Sequence, residues 1–257
     1  MKKTDAGHQL LTYAEDANRL NRGEGGLQST AQHLFHGLAP SYDSVLEYVT
    51  LYQDRYWKKF LLEEADLKEG FKILDLACGT GVLEDYITKG DCEVVGLDVT
   101  ERMIRIGKEK RRRAEANSLV VGDAESIPFG DESFDVVLSC YLPKYCRTDR
   151  MADEIQRVLK PGGRLLLYDF TRPRGLLAPF HAFYVYGVLK LLGVIAGHTS
   201  RELEFTFKKL PEVIRESTWD QTLPEVMLSR GFRRVGKRVL SGGVVTAFWG
   251  TKSPTSP

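Results

Sequence analysis

The sequence has little that would mark a metalloprotein, a secreted protein or a nucleic-acid binder. It has four cysteines in 257 residues, Cys78, Cys92, Cys140 and Cys146, and they form no Cys-x-x-Cys pair and no Cys/His cluster with zinc spacing. We therefore expect reduced thiols and no metal site. Lys and Arg total 36 against 35 for Asp and Glu, so no excess of charge favours a nucleic-acid partner.

The amino terminus lacks the apolar core of a secretory signal, because Met1-Lys2-Lys3 leads into polar sequence. We therefore expect a cytoplasmic protein. With 42% hydrophobic residues, a chain of this length can bury one sizeable core. The composition predicts a single α/β domain.

A glycine turn after an apolar strand is the most informative pattern in the chain. Residues 73–81 read ILDLACGTG, so a strand containing Asp75 leads into a Gly-x-Gly turn that opens a helix. Glycines let a ligand approach the backbone, and the free N–H groups of the helix start can hold a polar group. Glu84 stands where dinucleotide-binding folds have a third glycine, and a carboxylate there would repel pyrophosphate. The turn favours S-adenosylmethionine over NAD.

The strands that follow end in polar residues, as expected where open α/β sheets bind ligands. The second strand ends in Asp98, about 20 residues after the turn, the interval of a ribose-binding acid. The third ends in Asp123, which could accept a hydrogen bond from an adenine amino group. The strands predicted after the first are 94–98, 120–124, 134–139, 163–169 and a hairpin within 231–252.

Together these residues resemble the class I S-adenosylmethionine-dependent methyltransferases over roughly 71–170. A closer similarity, to the ubiquinone/menaquinone C-methyltransferase family, extends almost from end to end. The runs that carry it are Ala39-Pro40-Ser41-Tyr42-Asp43, Arg55-Tyr56-Trp57-Lys58, the Leu-Lys-Pro-Gly-Gly turn at 159–163, and Leu240-Ser241-Gly242-Gly243-Val244. The resemblance implies a Rossmann-like fold with a mostly parallel seven-stranded sheet, helices on both faces and an antiparallel carboxyl-terminal hairpin.

The resemblance also implies S-adenosylmethionine as the cofactor and a small hydrophobic acceptor as the partner. The cofactor contacts that we expect are Tyr42, Asp75, Ala77, Gly79, Gly81, Asp98, Val99, Met103, Asp123 and Ala124. The departures from the family fall where substrate would sit. Residues 141–145 read YLPKY where the family usually shows Gly-Leu-Arg-Asn, and Leu46 replaces an Asn.

The domain organisation that we expect places helices before and after the cofactor fold. Residues 1–30 form an extension, with a helical pattern at 8–20, and 31–69 form a helical cap over the cofactor. Residues 70–252 form the methyltransferase domain, with an apolar helical insertion at about 173–229, and 253–257 form a tail. The oligomeric state stays open, a homodimer included.

Residues 176–197 are the most apolar stretch, and they are about long enough to span a bilayer. They lie between two parts of one sheet, however, so a true span would separate elements that must stay together. Two interpretations remain. The stretch is a helix packed on the sheet or lining the acceptor pocket, or it is a lid that also touches a membrane and admits a lipid-soluble acceptor.

Methylation of a phenolic ring carbon needs a base to take the phenol proton. Tyr141, after the fourth strand, and Asp169, at the end of the fifth, are the candidates of choice, and Tyr42, His181 and His198 are others. The sequence leaves alternative reactions open. These are N- or O-methylation of another lipid or phenolic metabolite, methylation of arsenic held by the cysteines, and a non-catalytic protein that keeps the fold.

Overall fold

The computed structural model describes residues 26–87, 92–110, 118–173, 175–197 and 200–254. The helix expected at 8–20, His198 and the end of the tail lie outside these ranges. Seven strands form one sheet: β1 (Lys72–Leu76), β2 (Glu93–Asp98), β3 (Ser118–Val121), β4 (Phe134–Cys140), β5 (Leu159–Phe170), β6 (Phe232–Leu240) and β7 (Val245–Lys252).

The order of the strands across the sheet is β3-β2-β1-β4-β5-β7-β6. The first five strands pair in parallel, and β7 runs antiparallel to both β5 and β6. The order reverses between β1 and β4, and ligands of open α/β sheets bind beside such a reversal, at the carboxyl ends of the strands. This topology confirms the predicted seven-stranded class I fold.

Helices cover both faces of the sheet and its carboxyl edge. They are α1 (Leu27–Leu38), α2 (Tyr42–Val49), α3 (Gln53–Ala65), α4 (Val82–Tyr86), α5 (Glu101–Lys110), α6 (Thr148–Val158), α7 (Ala178–Ala182), α8 (Leu189–Gly197), α9 (Arg201–Glu216) and α10 (Trp219–Ser229). A π-helical stretch, Phe183–Val188, joins α7 to α8, so the helix predicted at 176–197 is present with a local change of pitch.

The core consists of two apolar layers, one on each face of the sheet. On one face α6 and α10 pack through side chains such as Ile155 and Leu223. On the other face α3 packs through Trp57 and Leu61. Strands β1 and β2 are buried along nearly their whole length, which explains why most of their residues are apolar; the acids Asp75 and Asp98 are buried with them. Although α10 falls inside the insertion expected at 173–229, its apolar side chains are part of the sheet's core.

The remaining helices meet above the carboxyl edge of the sheet. Helix α1 packs on α9, where the Thr206 hydroxyl donates to the carbonyl of Leu34 at 3.3 Å. The π-helical stretch contacts α2, and the Tyr184 hydroxyl donates to the carbonyl of Val49 at 2.7 Å. Helices from before and after the cofactor fold therefore form one layer over the ligand-binding edge.

Candidate functional site

The glycine turn and the ends of β2 and β3 form one side of a cleft of about 640 Å³, which we call the glycine-loop cleft. All but two of the expected cofactor residues line it. These are Tyr42, Ala77, Gly79, Asp98, Val99, Met103, Asp123 and Ala124. The other two do not line it: Asp75 is buried within β1, and Gly81, the second glycine of the turn, directly precedes α4 with φ of +80°.

Asp98 holds the glycine turn in place. Its Oδ2 accepts a hydrogen bond from the Gly79 N–H at 2.9 Å, and its Oδ1 accepts one from the Thr100 N–H at 2.8 Å. Burial raises the pKa of this carboxyl, and the two backbone hydrogen bonds oppose the rise. Asp98 therefore organises the loop at the same time as it faces the cleft.

Gly79 has a backbone conformation that side chains disfavour, whereas Glu84 on α4 lies outside the cleft. Gly79 has φ of +58°, and a Cβ on it would lie 3.5 Å from the ring of Tyr42. Glu84 does not line the cleft. It is buried on α4 against Gly96, where a Cβ would lie 2.4 Å from its Oε1. The acid that replaces the third glycine therefore packs against β2 and outside the cleft.

The Tyr-Asp pair of the amino-terminal motif joins the cap to the turn. Tyr42 lies over Gly79, and Asp43 accepts a hydrogen bond from the Thr80 hydroxyl at 2.7 Å. Lys110, at the end of α5, pairs with the same carboxylate. The cleft is therefore closed on its cap side by residues that are close in space and distant in sequence.

A second cavity, of about 570 Å³, adjoins the cleft beneath the cap; we call it the inner cavity. Its walls are almost entirely apolar. The linings of the two spaces share four aromatic side chains, Phe35, Tyr42, Tyr141 and Tyr145. A third space, the outer cavity of about 920 Å³, shares Val49, Phe170 and Leu210 with the inner cavity and extends to Phe180 and His181 on the apolar helix.

Lys144 is the charged side chain that lines the inner cavity among the described residues. Its ammonium group is 2.6 Å from Oδ1 of Asp169 and 4.4 Å from the centre of the Tyr145 ring. Burial lowers the pKa of Lys144, and the charge of Asp169 opposes that shift. The aromatic ring and the carboxylate together stabilise a buried cation beside the cavity.

Asp169 itself lines none of these spaces. It is fully buried at the end of β5, where its carboxylate also accepts hydrogen bonds from the backbone N–H groups of Lys144 and Phe170. Asp169 is therefore placed to orient Lys144 and not to contact an acceptor. His181 lines the outer cavity and not the glycine-loop cleft.

Tyr141 is placed differently, because it lines both the cleft and the inner cavity. It has φ of +66°, a conformation that is strained for a residue with a side chain. Its hydroxyl donates to Asp54 at 2.6 Å, and burial, followed by the charge of Asp54, raises its pKa well above the usual value. Sequence reasoning missed Asp54. The only signal was its position just before the Arg-x-Trp-Lys motif.

The sequence matches the model of the ubiE/COQ5 methyltransferase family over residues 25–252. It is 34% identical to the ubiquinone/menaquinone biosynthesis C-methyltransferase UbiE of Burkholderia orbicola, with 98% of this chain and 100% of the relative covered.

Solved structures share the fold. The [4+2]-cyclase SpnF aligns over 90% of this chain and 97% of its own, with a TM-score of 0.65 and 16% identity. Phosphoethanolamine N-methyltransferase 2 of Haemonchus contortus, in complex with S-adenosyl-L-methionine, aligns over 77% of this chain and 52% of its own, with a TM-score of 0.57 and 16% identity.

Proposed function

The chain belongs to the ubiE/COQ5 methyltransferase family, and we propose that it methylates a ring carbon of a small hydrophobic phenol, a quinone precursor. That it is an S-adenosylmethionine-dependent methyltransferase follows from the family. The acceptor is our proposal. The observation that supports it most is the apolar inner cavity, which shares Tyr141 with the glycine-loop cleft as a lining residue.

The residues of the cleft fit S-adenosylmethionine. When bound, the cofactor supplies an electrophilic methyl group on a positively charged sulfur. We propose that Asp98 accepts hydrogen bonds from the ribose hydroxyls, that Asp123 and Ala124 contact the adenine, and that the turn at Gly79 holds the methionine portion. Asp75 acts from within β1. Tyr42 closes the cleft and excludes water.

The chain's contribution to the reaction is proximity and alignment, because the leaving group is already activated. A ring in the inner cavity would lie against the four aromatic side chains that the two linings share, with its hydroxyl toward Tyr141. Phe170, which stacks on Tyr141 with ring centres 4.9 Å apart, fixes the orientation of that tyrosine. The outer cavity offers room for the apolar remainder of the acceptor.

The charge that lines the inner cavity weighs against an amine acceptor. N-methylation of an amine gives a cationic product, which carboxylates or an open aromatic cage would stabilise. Lys144 is a cation already held by Asp169 and Tyr145, so it would repel such a product and would instead favour an acceptor oxygen with negative charge. O-methylation of a phenol remains the second candidate.

The decisive experiment is methyl transfer from isotopically labelled S-adenosylmethionine to a panel of alkylated phenols and quinols, followed by NMR of the product. We expect the label on a ring carbon. A label on oxygen would replace this proposal with the second candidate, and transfer to amines alone would contradict both. An alkylamine of matched chain length serves as the control acceptor.

We further propose that the apolar helix contacts a membrane from which the acceptor enters the outer cavity. Ala178–Ile195 is long and apolar enough to cross a bilayer, but Val185 and Leu189 pack on Phe207 and fix one face to the protein. The other face exposes apolar side chains, among them Leu176, Phe180, Phe183, Leu191 and Ile195. No Asp or Glu occurs between Asp169 and Glu202, which suits an anionic lipid surface.

Flotation with phosphatidylglycerol-containing vesicles tests this contact. We expect the protein to float with the vesicles and Phe180→Ser with Phe183→Ser to reduce that fraction several-fold, because each exposed phenyl ring contributes apolar burial. Leu228→Ser, an exposed apolar position on α10, is the matched control. Equal loss in the control, or no flotation of the wild type, would contradict the proposal.

A further inference from the structure

A buried carboxylate accepts a hydrogen bond from Tyr141, the tyrosine that lines both spaces of the site. Asp54, on α3, is 3% exposed and lines neither the glycine-loop cleft nor the inner cavity. Its Oδ1 accepts a hydrogen bond from the Tyr141 hydroxyl at 2.6 Å and a longer one from the Tyr168 hydroxyl at 3.2 Å. A carboxylate buried this deeply is costly, so it requires compensation.

Lys58, one turn along α3, supplies that compensation. Its ammonium group pairs with Oδ2 of Asp54, and both side chains are buried. The two oxygens of Asp54 therefore face different partners: Oδ2 faces a cation, and Oδ1 faces two phenols. Buried ion pairs of this kind contribute little net stability compared with apolar packing, so their presence beside a site calls for another explanation.

The hydrogen bond to Asp54 determines which way the Tyr141 hydroxyl points its proton. Since that proton lies toward Oδ1, only the lone pairs of the Tyr141 oxygen remain for a ligand in the inner cavity. Burial raises the pKa of Tyr141 well above its usual value, so the phenol keeps its proton at rest. A tyrosine that holds its proton can pass it on only as it receives another.

We propose that Asp54 is the terminal proton acceptor of the methyltransferase and that it acts through Tyr141, which relays the proton from the acceptor's hydroxyl. The inference rests on the proposed phenolic acceptor. The acceptor O–H bond breaks as a new O–H bond forms on Tyr141, whose own proton moves to Oδ1 of Asp54. The electron pair stays on the acceptor oxygen, which makes the ring nucleophilic, and Asp54 becomes a neutral acid beside Lys58.

Tyr168 provides a control that the fold itself contains. It donates to the same oxygen of Asp54 as Tyr141 does, and it is completely buried, but it lines none of the three spaces. It can therefore stabilise Asp54 without receiving a proton from an acceptor. A merely structural role of the network predicts similar effects of losing either hydroxyl, whereas the relay predicts very different ones.

The titratable groups that face Asp54 come from several parts of the fold. They are Tyr42, Lys58, Cys140, Tyr141 and Tyr168. Lys58 is the cation among them, and the others are neutral in their protonated forms. Single substitutions at Asp54, Tyr141 and Tyr168 therefore separate the relay from its surroundings, with Lys58 kept in place.

The first test measures methyl transfer to alkylphenols that carry methoxy, chloro or nitro substituents and so differ in hydroxyl acidity. We expect Asp54→Asn and Tyr141→Phe to lower kcat about 100-fold for the least acidic phenols, with acceptor KM changed less than about threefold. The loss should shrink as the phenol becomes more acidic. Tyr168→Phe should stay within about twofold of wild type.

The second test needs no cofactor. An alkylated para-nitrophenol bound to the protein reports its ionisation by absorbance, and we expect its apparent pKa to be lower on the wild type and Tyr168→Phe than on Asp54→Asn and Tyr141→Phe. If Asp54→Asn fails to fold, the two tyrosine variants, which each lose one hydroxyl, still decide the matter.

Three outcomes would overturn the relay: wild-type rates in Asp54→Asn or Tyr141→Phe, equal losses in Tyr141→Phe and Tyr168→Phe, or losses that do not depend on the acidity of the phenol. If the wild type methylates no phenol, the proposed function fails by itself. The absorbance titration then decides the relay, which is overturned if the bound nitrophenol ionises alike on wild type and Asp54→Asn.

Discussion

The two halves of the site are built in different ways. The glycine-loop cleft is formed by loops that follow β1, β2 and β3, so its polar contacts come from a short span of sequence and include many backbone groups. The inner cavity is formed by side chains of helices before the sheet, a loop after β4 and a helix after β5. The first half depends on backbone geometry, and the second depends on packing and on buried charge pairs.

This difference predicts that a substitution in one half should leave the other half nearly intact. The largest effect should follow from breaking the charge pair under the inner cavity. Asp169→Ala leaves Lys144 buried without its carboxylate, which we expect to lower the free energy of unfolding by about 3–5 kcal/mol. Urea unfolding followed by circular dichroism measures this loss.

The matched control replaces both partners, Lys144→Met together with Asp169→Asn, which removes both charges at similar volume and keeps an amide oxygen that can accept from the backbone N–H groups beside it. We expect this pair of changes to recover most of the stability while acceptor binding stays impaired. A single variant as stable as the wild type would mean that the pair does not support the inner cavity, and the distinction between the halves would be weaker.

The reverse experiment removes the acid of the glycine-loop cleft. We expect Asp98→Ala to fold and to bind S-adenosylhomocysteine about 100-fold more weakly, because charge-assisted hydrogen bonds contribute roughly 1.5–3 kcal/mol each. Calorimetric titration measures the affinity, and acceptor binding should change little. Asp135→Ala is a control for general effects of losing an acid, because the Asp135 carboxylate accepts a hydrogen bond from the backbone N–H of Lys72 in β1, away from the cleft. Unchanged affinity in a folded Asp98→Ala would contradict the cofactor assignment.

The pH dependence of cofactor affinity sharpens the same point. Burial raises the pKa of Asp98 above that of an exposed aspartate, and only the carboxylate can accept two ribose hydrogen bonds. We therefore expect the affinity to be constant above the raised pKa and to fall about tenfold per pH unit below it, beginning at a higher pH than for an exposed acid.

Titrations with S-adenosylhomocysteine between about pH 4 and about pH 8 measure this dependence. Asp98→Asn should bind weakly at every pH and lose the pH dependence of affinity.

The pH dependence of folding stability has the opposite sign, because the raised pKa means that the ionisation of Asp98 opposes folding. Its contribution to stability is present below the pKa of the unfolded chain and is lost as the pH rises through that of the folded protein. Cofactor affinity that falls with its midpoint at the usual pKa of aspartate would contradict the effect that we assign to burial.

The smallest effect concerns the contact that joins the two halves. Thr80→Val removes the hydrogen bond to Asp43 while keeping the shape of the side chain. It should weaken S-adenosylhomocysteine binding about fivefold, roughly 1 kcal/mol and less than a usual bond to a carboxylate, because Lys110 keeps Asp43 paired. A faster dissociation rate in stopped-flow experiments should account for it. Ser41→Ala, which removes a hydrogen bond within the cap alone, should leave the rate unchanged.

Sequence patterns predicted the strands and the glycine turn from which the cofactor half of the site is built. The strands around Asp75, Asp98 and Asp123 were recognisable because their apolar runs and glycine turn are contiguous, and contiguous patterns report local structure directly. The structure differs from these predictions only in details: β3 ends at Val121, and Asp75 is buried within β1. For the acceptor half the sequence predicted amphipathic helices and singled out Tyr141 and Asp169, but it did not identify their partners.

The fold class, the family and the cofactor follow from the sequence by itself, because the loops that carry them are short stretches whose residues act together. Only the tertiary structure revealed that Asp54 accepts a hydrogen bond from Tyr141, 87 positions along the chain, and that Lys144 belongs to Asp169. Such pairs depend on how distant helices and strands pack, and no local sequence pattern identifies the partner of a buried charge.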